Sequence, residues 1–158
     1  MSSHKLNNKW DFWFHNPCDN NWSISSYNKI HEISNIKDFW ILYNKISPRI
    51  IQNSMFFLMR TNIDPMWEHT ENITGGSWSF KILKENVSKI WFNISIALLG
   101  ENITNNQDNI INGISISPKK HFCIIKIWNK QTQFNNIKLL KKIKDLSYDG
   151  VIYKSHVK

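Results

Sequence analysis

From Asn8 to Phe14 the chain runs Asn-Lys-Trp-Asp-Phe-Trp-Phe, an aromatic, β-favouring stretch that predicts a first strand. Asn16-Pro17 and the polar Cys18-Asp19-Asn20-Asn21 end it. From Trp22 to Ile33 the chain is polar with scattered β-branched residues, a loop with room for a short strand. Ile36, Phe39, Trp40, Tyr43 and Ile46 recur at helical spacing behind the capping pair Ser34-Asn35. They predict a helix from Ile36 to Ile46, stopped by Pro48. Ser54 to Arg60 predicts a strand and Asn62-Ile63-Asp64-Pro65 a turn or loop. After Gly75-Gly76, the alternation Ser77-Trp78-Ser79-Phe80-Lys81-Ile82 sets Trp78, Phe80 and Ile82 on one face of a strand.

Asn86 or Ser88 opens a second helix through Trp91 and Ile94 to Leu99, ended by Gly100. Asn109 to Ser117 alternates as a strand. Phe122 to Trp128 is its expected hairpin partner across Pro118-Lys119-Lys120. Gln133 to Leu146 has the period of a third helix, with Phe134, Ile137, Leu140 and Ile143 inward and Lys138, Lys141, Lys142 and Lys144 outward. Val151 to Tyr153 predicts a last strand. Strands joined by hairpin-length connections with interspersed helices give an α+β domain, an antiparallel sheet covered on one face and open to a ligand on the other.

The 158 residues suffice for one domain, taken as 1–158 with 1–7 as a flexible lead-in. Apolar residues are 41% of the chain, aromatics 13%, with 5 Gly and 4 Pro, which excludes a disordered or collagen-like chain. Twenty Lys and Arg against 12 Asp and Glu give a net charge of +8, which favours a polyanionic or phosphate-bearing partner. Cys18 and Cys123 lie far apart and form neither a disulfide framework nor a zinc site. No signal-like or membrane-length apolar run occurs, so the expectation is a cytoplasmic protein with reduced thiols. Heavy use of Asn, Ile and Lys points to an AT-rich genome, such as that of a parasite or a large virus.

Catalysis finds little support. No GxSxG, P-loop, GxGxxG or HExxH motif occurs, and His4, His15, His31, His69, His121 and His156 are dispersed. Glu68-His69 with Glu71 is the one compact acid–base grouping and fits a polar loop. The chain is expected to be no enzyme, with no cofactor and no metal. Eight tryptophans are the compositional anomaly. Trp67 followed by Glu68 suggests base recognition: an indole stacks on a base while a carboxylate accepts from N1–H and the exocyclic amine of guanine. A cationic base such as 7-methylguanine adds a cation–π contribution.

These residues fall in an ordered set of motifs. Asn8-Lys9-Trp10 with Trp13-Phe14, Asp38-Phe39-Trp40-Ile41-Leu42-Tyr43, Pro65-Met66-Trp67-Glu68 before Gly75-Gly76-Ser77-Trp78, Trp91 with Leu98-Leu99-Gly100-Glu101, Gly113 to Trp128, and Ser155-His156 follow one another from His4 to His156. The set resembles the cap-binding eukaryotic translation initiation factor 4E family. The resemblance implies a curved antiparallel sheet with three α-helices on its convex face. It further implies that Trp22 and Trp67 sandwich 7-methylguanine, Glu68 accepts from the guanine edge, and Trp128 contacts the N7-methyl group. The spacing from Trp22 to Trp40 is one residue longer than the family's. Trp10, Trp13, Trp78 and Trp91 are assigned to the core.

The phosphate-binding positions depart from that family. Lys119, beside Lys120, stands where the family has Arg, and a point charge replaces a bidentate fork. Ile124 stands where the family has Lys; Lys126, two residues on, shares its strand face and is either a substitute phosphate ligand or a solvated edge lysine. Ser77 replaces another Arg, and the chain stops soon after Ser155-His156, leaving Lys154 and Lys158 as the remaining cations there. These changes could mark a cap modified beyond 7-methylguanosine.

On the helical face, Trp40 resembles the family's exposed Trp that holds a helix of a 4G-like scaffold or a 4E-binding repressor. His4, Leu6, Ile36, Phe92, Ile96 and Gly100 fall at or beside other positions of that surface, and Asn93 replaces a family Glu. The resemblance implies a monomer that binds capped mRNA and recruits a 4G-like scaffold for translation initiation. The alternative is a cap-binding repressor or competitor that recruits none, with altered cap-methylation preference. A decapping-type hydrolase, the reading from another class, lacks the carboxylate cluster that its metals need.

Overall fold

The computed structural model describes residues 4–157. Seven strands form one antiparallel sheet: β1 (Lys5–His15), β2 (Tyr27–Asn35), β3 (Met55–Arg60), β4 (Gly76–Leu83), β5 (Ile111–Pro118), β6 (Phe122–Asn129) and β7 (Ile152–Ser155). Their order across the sheet is β2-β1-β3-β5-β6-β4-β7, antiparallel at every pairing. Three α-helices, α1 (Ile36–Tyr43), α2 (Pro48–Asn53) and α3 (Lys84–Leu99), complete the fold. The expected α+β architecture of a curved sheet with three helices holds.

Strand alternation divides the sheet into two faces. On one, Trp10, Phe12, Phe56, Leu58, Trp78, Phe80, Ile82, Ile114, Ile116, Ile125 and Ile127 pack with Phe39 and Leu42 of α1, Ile51 of α2, and Val87, Ile90, Trp91, Ile94 and Leu98 of α3. The opposite face carries a smaller cluster of Trp13, Phe57, Met59, Ile63 and Trp128, edged by Tyr27 and Met55. Among the described residues no helix packs on this second face, and the candidate site residues gather on it. Trp10, Trp13, Trp78 and Trp91 are all buried, as expected of core residues.

Local signals explain the starts of α1 and α2, whereas α3 begins at Lys84, ahead of the expected Asn86 or Ser88 and without a side-chain cap. Asn35 caps α1 by accepting from Asp38 N, and Asp38 in turn accepts from Ser34 N and Oγ at 3.0 Å. These bonds, foremost the one from Ser34 N–H, hold the Asp38 carboxyl below its usual range. Pro48 does not simply stop a helix. It stands at the first turn of α2, where a missing N–H costs nothing, behind Ser47, whose Oγ accepts from Ile50 N. The connection after Trp22 is a short 3-10 turn, Ile24–Ser26, leading into the full-length β2. Within the stretch 1–7 expected to be a flexible lead-in, residues 1–3 lie outside the described part. Lys5 pairs with Asn35 and Leu6 packs against the core.

The helix expected at Gln133–Leu146 is absent; only Ile137–Leu139 make one 3-10 turn. Its side chains point as the period predicts, with Leu140 and Ile143 buried, Phe134 and Ile137 half-buried and the four lysines exposed. Its backbone, however, bonds elsewhere. Leu139 O accepts from Asn105 N and from Thr104 Oγ1, Lys138 O accepts from Asn105 Nδ2, and Lys141 N donates to Ile103 O. A loop that claims these groups leaves none for an i to i+4 ladder. Three helices still result because α2 occurs where none was expected.

Candidate functional site

Two rows of paired residues build the floor of the uncovered face. Trp13, Phe57, Ser115, Lys126 and Ser79 stand opposite one another across β1, β3, β5, β6 and β4. Beside them run Met59, Gly113, Trp128, Ser77 and Lys154 across β3, β5, β6, β4 and β7. Above this floor opens a cleft of about 900 Å³ that brings together Trp22, Trp67, Glu68, Trp128, Lys126 and Lys154. Tyr27, Met55, Phe57, Ser77, Ser115 and His156 line it as well. All four residues expected to meet a base therefore share one cavity, with two of the expected cations.

Trp22 and Trp67 present about half of their surface to solvent, 47% and 49%. The loop before Trp22 is set by successive Asx turns, Cys18 N to Asn16 Oδ1, Asn21 N to Asp19 Oδ1 and Ser23 N to Asn21 Oδ1. The loop carrying Trp67 and Glu68 is held by Asn72, a fully buried residue. Its Nδ2 donates to the carbonyls of Asp64 (3.0 Å) and Met66 (2.8 Å), just ahead of Trp67. Asn112 Nδ2 donates to Asn72 Oδ1 at 3.0 Å, so the loop is fastened to β5. Gly75-Gly76 follow; a methyl group at Gly75 would meet the Asn129 backbone, and at Gly76 the Lys154 backbone and the Tyr153 ring.

Trp128 is 7% exposed, and its Nε1–H donates to Ser115 Oγ at 3.0 Å. It offers an edge or face of its ring to the cleft, not a free N–H. Burial, then the carboxylate of Glu68, push the Tyr27 phenol up to about 12, so it faces the cleft as a neutral hydroxyl. Burial, then the charges of Lys119 and Lys154, hold the Lys126 ammonium below the usual lysine range. A dianionic or trianionic phosphate would relieve both repulsions at once. Lys119 and Lys120 are exposed on the β5–β6 turn and do not line the cleft, although the charge of Lys119 reaches Lys126. Lys158 lies outside the described residues. Glu71 pairs with Lys130 at 2.9 Å and its N–H donates to His69 Nδ1, so the Glu68-His69-Glu71 grouping is a structured loop. Among the described residues no cluster of His, Cys, Asp or Glu suited to a metal occurs, and no helix is long and apolar enough to cross a membrane.

A family model described as eukaryotic initiation factor 4E matches residues 5–158. The chain belongs to the eukaryotic initiation factor 4E family. It is 29% identical to the Candida albicans eukaryotic translation initiation factor 4E, over 92% of this chain and 76% of the relative. It is also 29% identical to an isoform 4E of Arachis hypogaea, over 98% and 80%. Its fold is that of C. elegans eIF4E-3, solved with the 4E-binding protein Mextli and a cap analog: TM-score 0.82, 21% identity, 98% of this chain and 94% of that one. Ascaris suum eIF4E-3 with an m7G cap gives a TM-score of 0.74 at 22% identity, over 85% and 77%. At these identities the two structures speak for the fold alone. Members of the initiation factor 4E family are translation factors, not enzymes.

The second expected surface of this family member lies on the helices. Ile36 and Trp40 on α1 are exposed at 42% and 45%, and Ile96 on α3 at 46%. The Trp40 and Phe92 rings stand 5.7 Å apart, and Phe92 and Ile96 are one turn apart on α3. Leu6 is half-buried, while His4 is exposed and uses its carbonyl to accept from Ile36 N. Asn93, Ile96 and Gly100 border a separate groove of about 420 Å³ completed by Lys141, Lys142, Ile143 and Lys144. Asn93 Nδ2 donates to the Lys144 carbonyl at 3.1 Å, so the residue that replaces the family's Glu ties α3 to this basic wall.

Sequence reasoning missed Tyr27, His15, Ser115 and His156. The signal for Ser115 was available: alternation puts Ser115 and Ser117 opposite Lys126 and Ile124 in the predicted hairpin. Tyr27 depended on β2 being a full strand, which its polar composition concealed; His15 ends β1, one residue beyond the predicted strand.

Proposed function

We propose that this initiation factor 4E family member binds the 5′ cap of mRNA in the cleft, without chemistry. The observation that carries the reading is the placement of two half-exposed indoles, Trp22 and Trp67, with Glu68 beside one of them, over a floor containing Trp128. In this reading the indoles enclose 7-methylguanine, Glu68 accepts from N1–H and the exocyclic amine, and Trp128 meets the methyl group. Lys126 and Lys154 lie on the phosphate side, with Lys119 and Lys120 reaching from the β5–β6 turn. Relatives of the same fold solved with a cap analog and with an m7G cap support this direction.

The finer reading is recruitment of a 4G-like scaffold in the cytoplasm by a monomer, through Trp40, Phe92 and Ile96 with His4, Leu6, Ile36, Asn93 and Gly100 around them. An exposed aromatic beside aliphatics suits a helix laid along α1 and α3, and the C. elegans relative was solved with a 4E-binding protein. The alternative, a cap-binding repressor or competitor, is favoured by Asn93, which removes a carboxylate from that face. Titration of tryptophan emission with 7-methyl-GTP and with GTP tests cap binding. Co-purification of a 4G-like protein with the wild type and with Trp40→Ala tests recruitment.

A further inference from the structure

His15 is completely buried behind Trp22. The two rings stack in parallel, with centroids 4.1 Å apart and planes 6° from each other. His15 Nε2 lies 2.8 Å from the carbonyl oxygen of Asn21. A carbonyl only accepts, so Nε2 carries the hydrogen and donates. The imidazole thus holds Trp22 twice, by its face and through the residue before it in the chain. Its other nitrogen, Nδ1, is buried without a hydrogen-bond partner.

That leaves one indole with two different faces. One face is filled by imidazole, and the surface left exposed lines the cleft. We infer that neutral His15 is the positioning residue for base recognition, and that a second proton on His15 antagonises a cationic base on the far side of Trp22. Resting on the cap-binding reading, this adds a regulation of that same site. A parallel backing ring keeps the indole from collapsing onto the cleft floor, so the stacking face is set before a ligand arrives, and preorganisation of this kind lowers the cost of binding. The proton has two effects of the same sign. It puts a hydrogen on Nδ1, where no acceptor stands. It also places positive charge against an indole whose other face 7-methylguanine would use, so two cations compete for one π-system.

The groups that face His15 are few. Tyr27 on β2 lies 4.7 Å away between ring centroids, with Glu68 acting on it from the Trp67 loop. β3 presents Met55 opposite His15, and Asp19 holds the Asn21 N–H in the loop beyond. None of these carboxylates is bonded to Nδ1.

The experiment uses the full chain, with His15→Phe, which keeps a flat ring and removes the titration, and His15→Ala, which removes both. The probe is 7-methyl-GMP, titrated by tryptophan emission at pH 7.5 and at pH 5.5, alongside indole N–H spectra of the ligand-free proteins with the Trp22 signal assigned by Trp22→Phe. At pH 7.5, His15→Phe is expected to bind within about threefold of wild type and His15→Ala about tenfold more weakly, the loss of a stacking support. On acidification from pH 7.5 to 5.5, wild type should lose more affinity than His15→Phe; ionisable groups common to both proteins and the ligand cancel in the comparison. The ligand-free Trp22 signal should move with pH in wild type and stay still in His15→Phe. Identical pH profiles for wild type and His15→Phe would overturn the inference even if His15→Ala failed to fold. If the Trp22 signal responded as expected but no protein bound 7-methyl-GMP at either pH, the cap-binding reading would fall and the His15–Trp22 contact would remain a structural one.

Discussion

His156 donates from Nδ1 to the carbonyl oxygen of Asn72 at 2.7 Å, while its Nε2 accepts from Ser77 Oγ at 3.2 Å. The end of the last strand is thereby fastened to the buried asparagine that supports the Trp67 loop, and the imidazole lies 5.0 Å from the Trp128 ring. One residue touches the floor, the wall and the support of the stacking loop. His156→Ala should therefore weaken cap binding by about three- to tenfold and lower stability by about 1–2 kcal/mol, the loss of two part-buried hydrogen bonds. Paired thermal melts and cap titrations check it.

The same imidazole gives a pH dependence. Burial, with a smaller contribution from the Lys126 charge, pushes His156 below the ordinary histidine value, against the bond to the Asn72 carbonyl. Its neutral form is the native one, so the unfolded chain takes up more protons as pH falls. The contribution is fully present above about pH 6.5, the unfolded value, and is lost as pH falls through the lower folded value. Thermal stability should drop between pH 7 and pH 5, by less in His156→Gln.

Lys126 should trade stability for ligand binding. Its ammonium is held partly out of water beside Lys119 and Lys154, which depresses its protonation. Lys126→Met is expected to raise the melting temperature of the ligand-free protein. It should weaken 7-methyl-GTP about tenfold, through loss of a charge-assisted bond, yet change 7-methylguanosine little. Equal loss for both ligands would place Lys126 at the base, away from the phosphates.

Trp40 and the cleft lie on opposite faces of the sheet, with the main core between them. Trp40→Ala should leave cap affinity within about twofold and reduce capture of a helical scaffold segment by about 2 kcal/mol, a hot-spot loss. Isothermal titration with such a segment measures one effect and the cap titration the other. Abolished cap binding in a folded Trp40→Ala protein would contradict two separate faces.

Much of this was legible from period and from motif order. Alternation in Ser77–Ile82 gave the face of β4, and the ordered motifs singled out Trp22 and Trp67 among eight tryptophans. The helix at Gln133–Leu146 was misjudged because periodic side chains report which residues turn inward, while the backbone's partners decide whether a helix forms. Here those partners are Ile103, Thr104 and Asn105, more than 30 residues earlier in the chain. Pro48 was ambiguous for a local reason: proline ends one helix and suits the first turn of the next. Asn112 and His156, which fasten Asn72 and so the Trp67 loop, act through contacts distant in sequence that no spacing could reveal.

The central claim is that Trp22, Trp67 and Glu68 form a site for methylated guanine. It is tested most directly by titrating tryptophan emission with 7-methyl-GTP beside GTP, in wild type and in Trp67→Ala and Glu68→Ala. Both substituted residues are exposed, so circular dichroism should show an unchanged fold. Quenching with strong preference for the methylated nucleotide, weakened roughly 5- to 150-fold in Trp67→Ala by loss of a stack of about 1–3 kcal/mol, is the predicted result. Equal weak binding of both nucleotides, or unchanged binding in both variants, would contradict it.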